Sequence, residues 1–199
     1  MGFLARKLHE LREYSDIASI GEIARRYFAM NAFDGVLTII GVLMGNYTAR
    51  VRDPTVVIVT GFSTSMAMGI SGLWGAYLTE SAERKRDLGD LENHTLTDLS
   101  ETKIGRASRV AVVVVALVDG LAPFLAALVV LLPFFFSGLL ADIVLSYYAS
   151  LGIALAVLFA VGAFLGKVSK ESLFISGLKM IVAGLVSILL SYLLKVRGS

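Results

Sequence analysis

The chain contains no cysteine. That absence excludes disulfides, thiolate metal sites and cysteine nucleophiles at once. Charge is also scarce: 17% of the 199 residues are charged, against 56% that are hydrophobic. A soluble domain of this size carries about 25% charged and 45–50% apolar residues. The net charge of +2 is too small to point to nucleic acid. Catalytic signatures are missing as well, with no His-Glu-x-x-His, no Gly-x-Ser-x-Gly and no phosphate-cradling glycine loop. The two histidines, His9 and His94, fall outside the apolar segments and far apart. No enzyme and no prosthetic group is expected.

What remains is apolar, with a mean hydropathy of +0.78. The expected class is an all-α integral membrane protein with an amphipathic N-terminal helix and five transmembrane helices. The amphipathic stretch covers residues 1–27. In it Phe3, Leu4, Leu8, Leu11, Ile17, Ile20 and Ile23 recur at helical spacing between Arg6, Lys7, Arg12, Arg25 and Arg26. It reads as a helix lying along the headgroups. Its charges leave no unbroken apolar core, so no cleavable signal is expected. The membrane domain covers 28–199, with spans at 28–49, 55–79, 109–136, 139–166 and 172–194, each near the ~20 residues a bilayer requires. Pro54 opens the second span, Ser137-Gly138 makes the turn before the fourth, and a short charged connection occupies 80–108.

With the N-terminus in the cytoplasm, the inner segments carry 14 of the 18 basic residues and the outer ones 4. This positive-inside bias sets the expected orientation.

Orientation gives depth at ~1.5 Å per residue. Asp34 lies roughly 12 Å in along the first span and Asp119 roughly 15 Å in along the third, each followed by glycine. Parallel helices thus offer two carboxylates at nearly one height. An intramembrane carboxylate costs several kcal/mol by the commonly quoted insertion scales and is functional by default. The structural alternative is a buried bond to Ser63, Thr64, Ser65, Ser71 or backbone. Met68, with Met66 beyond it, lies at a similar depth, roughly 18 Å, on the second span. Carboxylate and thioether together suit a transition metal better than Mg²⁺ or Ca²⁺, although methionine also serves as plain packing. Pro123 frees a backbone carbonyl one turn earlier, at the level of Asp119. Past the second span, Glu80, Glu83, Asp87 and Asp90 recur at spacings of three and four. With His94 they read either as a cation entry site or as a solvated face interleaved with Arg84, Lys85 and Arg86.

These residues resemble the vacuolar iron transporter family, over about residues 27–195. Asn31-Ala-Phe-Asp34-Gly35-Val-Leu is similar to the family's first-helix Asn-Asp-Gly-Leu-like motif. Ser71-Gly72-Leu-Trp-Gly75-Ala76-Tyr77-Leu-Thr79-Glu80-Ser81-Ala-Glu83-Arg84 follows the end of the second helix and its Ser-x-x-Arg continuation. Leu-Leu-Pro133-Phe134 resembles the end of the third helix, and Ser176-Gly177-Leu178-Lys179-Met180 the start of the fifth.

The resemblance implies five transmembrane helices, a homodimer, and exchange of Fe²⁺ or Mn²⁺ for protons. The first-helix aspartate, a second-helix methionine and glutamates form the path, and a Glu-rich cytoplasmic domain collects metal. Asp34 carries over. Gly72 stands where the methionine is expected, Ala76 stands for a glutamate, and the acidic domain is reduced to the 80–108 connection. Met68, one turn before Gly72, and Glu80, one turn after Ala76, offer shifted ligands.

The expected metal set is therefore Asp34, Asp119, Met68, Glu80 and Glu83. The expected function is proton-coupled export of a divalent transition metal, the ion being substrate rather than cofactor. The expected partners are metal ions, protons, the lipid bilayer and a second copy. The expected place is the plasma membrane of a prokaryote. The alternative is a non-transporting sensor or partner-binding dimer on the same scaffold.

Overall fold

The computed structural model describes residues 13–139 and 142–197. Five long helices carry the chain: α1 (Ile20–Thr48), α2 (Pro54–Thr95), α3 (Lys103–Phe135), α4 (Ile143–Val168) and α5 (Leu173–Arg197). Each contains a window long and apolar enough to cross a bilayer. The protein is thus an integral, multi-pass membrane protein, helical throughout its described secondary structure.

Residues 13–17 are helical, and the chain then breaks at Ala18-Ser19, where Ser19 takes a φ of 50°. α1 starts at Ile20, so the second half of the expected amphipathic stretch is continuous with the first membrane helix. The first half, through residue 12, lies outside the described residues. The connection expected at 80–108 is mostly helix: α2 runs on to Thr95 and α3 begins at Lys103. At ~1.5 Å per residue the 42 residues of α2 extend about 63 Å, roughly twice the hydrocarbon core of a bilayer. Ser137–Leu139 forms a 3₁₀ turn where Ser137-Gly138 was expected to turn. Asp142 caps α4, its carboxylate accepting from the Val144 amide.

The chain forms two compact units. The first comprises residues 13–28 with Ile70–Leu121. Ala107, Ala111, Val115 and Ala116 form its buried apolar side on α3. Glu92 accepts a bond from the Leu99 amide (2.8 Å), and Arg109 donates to the Ser100 carbonyl (3.1 Å), so the short loop 96–102 is tied to both helices.

The second unit comprises Ala29–Gly69 and the chain from Ala122 onward. Its core takes Val36, Ile39, Ile40 and Leu43 from α1, Ala127, Val130, Leu131 and Phe134 from α3, and Tyr147, Ala154 and Leu158 from α4. Spacings of three and four put each set on one helix face. Close approach depends on glycine. A methyl at Gly35 would lie 2.6 Å from both Cα and O of Pro123, and one at Gly162 would lie 2.5 Å from the Ser176 carbonyl oxygen. Backbone meets backbone at both places, the packing membrane helices adopt when small residues line the contact.

Candidate functional site

In the first unit, Asp119 is buried on α3 at 7% exposure, facing Gly72 of α2. A Cβ at Gly72 would stand 3.0 Å from Asp119 Oδ2 and 3.1 Å from its carbonyl oxygen. That carbonyl is the one Pro123 leaves without its helical amide donor. The aspartate fills the space a larger residue at position 72 would need.

Glu80 is also buried, at 5% exposure. Its Oε1 accepts from the Tyr27 hydroxyl (3.4 Å), and its Oε2 faces Arg84 Nε at 3.4 Å. Arg84 donates in addition to the Ala18 carbonyl (3.2 Å), where the chain breaks before α1. A buried carboxylate is tolerable when charge and hydrogen bonds compensate it, and here both come from within the unit. Tyr27 and Arg84 are members of this cluster that the sequence reading did not select. The i,i+4 spacing of Glu80 and Arg84 was a usable signal for the second.

The acidic row after Glu80 divides. Glu83, Asp87 and Asp90 are exposed while Glu80 points inward. Asp90 lies 4.0 Å from Arg86, and His94 Nδ1 contacts the Asp90 carbonyl within its own helix. The row follows one side of the helix loosely, and its first member belongs to a different environment from the rest.

In the second unit, Asp34 is exposed on α1. Met30, Thr38, Gly41 and Gly45 share its face. Met30 is 53% exposed, and neither glycine has any atom within 4 Å of an added Cβ. Met66 is 45% exposed on α2 and Met68 is half-buried. Two of the hydroxyls weighed as aspartate partners are engaged with their own helix: Thr64 donates to the Thr60 carbonyl (2.8 Å) and Ser65 to the Gly61 carbonyl (2.7 Å).

The predicted site residues thus fall in both units, with Asp119, Glu80 and Glu83 in the first and Asp34 and Met68 in the second. Among the described residues, no three side chains of histidine, aspartate or glutamate gather as metal ligands would.

Residues 91–195 match the model of the VIT family. An uncharacterized protein of Methanocaldococcus jannaschii is 31% identical over 178 residues, covering 88% of this chain and 90% of the relative. The family match includes Asp119, and the alignment to the archaeal relative extends over most of the chain. The family is one of membrane transporters rather than enzymes. Five apolar helices, intramembrane carboxylates on α1 and α3, and a match over more than half of the sequence lead to one assignment: the chain belongs to the VIT family.

Proposed function

We propose that the protein exports a divalent transition metal, Fe²⁺ or Mn²⁺, from the cytoplasm in exchange for protons, and works as a homodimer in a prokaryotic plasma membrane. The observation that carries the reading is the exposure of Asp34 on a membrane helix. A carboxylate facing lipid costs several kcal/mol. Its bare face, with Gly41 and Gly45 beyond it, therefore calls for a polar neighbour outside the chain or a water-lined path. A second copy packed against small residues supplies both.

Asp34 in the second unit and Asp119 in the first are the carboxylates we assign to cation and proton binding. Carboxylates that bind a metal also compete for protons, so acid on the far side protonates them and releases the ion. Thioether from Met66 or Met68 would bias the site towards a transition metal. Glu83, exposed with Asp87 and Asp90, would attract cations to the entrance. Glu80, already compensated by Arg84, would bind metal only after that pair opens.

Metal flux in proteoliposomes under an imposed pH gradient tests the reading. Asp34→Asn is expected to abolish uptake into the acidic lumen, and Asp119→Asn to reduce it at least tenfold. Unchanged flux in both variants would refute the mechanism.

A further inference from the structure

A cavity of about 280 Å³ opens in the second unit, where α1 ends and α4 begins. Its wall is formed by Tyr47, Arg50, Val51, Arg52, Val144 and Tyr147. The wall is held firmly. Tyr147 donates to the Val51 carbonyl (3.1 Å), and its ring meets Tyr47 edge-on at 5.4 Å and Phe134 at 4.9 Å. The Tyr47 and Tyr148 hydroxyls lie 3.3 Å apart. The turn itself is closed by bonds from the Arg50 amide to the Tyr47 carbonyl and from the Val51 amide to the Asn46 carbonyl.

The charges at this turn are unequally occupied. Asp53 accepts from the Thr55 amide at the start of α2, and Asp142 accepts from the Val144 amide at the start of α4. Both carboxylates are thus committed to helix N-termini, which favour negative charge. Arg52 pairs with Asp142 at 3.5 Å. The Arg50 guanidinium has no hydrogen bond or ion pair among the described residues, and the backbone there is held at a φ of 58°. A non-glycine residue in that left-handed region is uncommon and carries a cost.

We propose that this cavity binds a phosphate group, that of an anionic lipid headgroup, with Arg50 as its principal ligand and Tyr47 beside it. The guanidinium fork matches phosphate oxygens in two parallel bonds. The volume lies just under the range of pockets that hold drug-sized ligands, which suits a headgroup. The place suits it too. The turn joins two apolar spans, so it lies at the membrane surface, where tyrosine is enriched and lipid phosphates reside. Inorganic phosphate offers the same chemistry from solution.

The test uses the full chain in phosphatidylcholine nanodiscs, with thermal unfolding as readout. Addition of phosphatidylglycerol is expected to raise Tm. Arg50→Gln is expected to weaken the apparent lipid affinity about tenfold, the effect of losing one charge-assisted contact. Arg50→Lys, which keeps the charge and loses the fork, is expected to fall between. Because the Arg50 side chain bonds to nothing described and its variants keep the backbone amide, they should keep the wild-type Tm in pure phosphatidylcholine. If Arg50→Gln fails to fold, Arg50→Lys alone decides. Lys167→Gln, at the other end of α4, should respond to phosphatidylglycerol as the wild type does. A Tm rise with inorganic phosphate and none with phosphatidylglycerol would uphold the phosphate site and assign it to the free anion. No rise with either probe, or a phosphatidylglycerol effect that Arg50→Gln leaves intact, would overturn the proposal.

Discussion

Removing Arg84 should destabilise the protein more than removing the carboxylate it neutralises. Both side chains are largely enclosed, with 16% of Arg84 and 7% of Glu80 exposed, so the pair is not a surface salt bridge. Two unit charges about 4 Å apart attract by about 4 kcal/mol at an effective dielectric of about 20, and desolvation offsets much of that. Loss of one partner from a fully buried pair costs about 3–5 kcal/mol. The separation here is 3.4 Å and slightly open to solvent, which argues for the lower part of that scale. Arg84→Gln is therefore expected to cost about 3 kcal/mol, because it strands Glu80 and also gives up the bond to the Ala18 carbonyl. Glu80→Gln should cost less, about 1–2 kcal/mol, since Arg84 keeps that second bond. The double variant should recover part of the loss, with a coupling of about 1–2 kcal/mol. Equilibrium unfolding of the four proteins in mixed micelles measures the cycle. Limited proteolysis near Ala18 gives an independent reading, and Arg84→Gln should be cut faster there. Additivity within about 0.3 kcal/mol would refute the view that the pair compensates a buried charge.

Gly72→Met drives Cβ towards Asp119 Oδ2 at 3.0 Å, so it should cost about 1–3 kcal/mol alone. Combining it with Asp119→Ala should return most of that stability, as judged by unfolding in detergent. In the loop between α2 and α3, hydrogen bonds from the Ser100 hydroxyl and amide hold the Asp98 carboxyl below the usual aspartate range. A lowered native pKa means that the stabilisation is present above the unfolded pKa and disappears as pH falls through the native one. The Ser100 amide resonance should follow that acid titration, and Asp98→Asn should flatten it.

The order and type of the helices were legible because a bilayer demands long apolar runs and charge must stay outside them. Pro54 and Ser137-Gly138 marked real boundaries for the same local reasons. The extent of α2 was only partly legible. Its charged continuation has no apolar run to mark it, and α3 begins well before its apolar part, at Lys103. The break at Ser19 has a local signal, the Ser-x-x-Glu pattern of Ser19 and Glu22 that opens a helix, whereas the positive φ of Ser19 arises in the folded chain.

The site divides in the same way. Sequence singled out Asp34 and Asp119 as costly, because the free energy of a charge in hydrocarbon depends on depth, and depth follows from counting residues. Whether each carboxylate is enclosed or bare depends on neighbours distant in the chain. Only the packing of α2 on α3 shows that Asp119 fills the space at Gly72. Only the approach of Tyr27 and Arg84 makes Glu80 a compensated buried charge rather than the first of a solvated row. Composition and periodicity along one strand of chain determine which segments enter the membrane. Which side chains meet there is decided by helix-to-helix contact, because burial and pairing energies belong to groups that sequence distance does not relate.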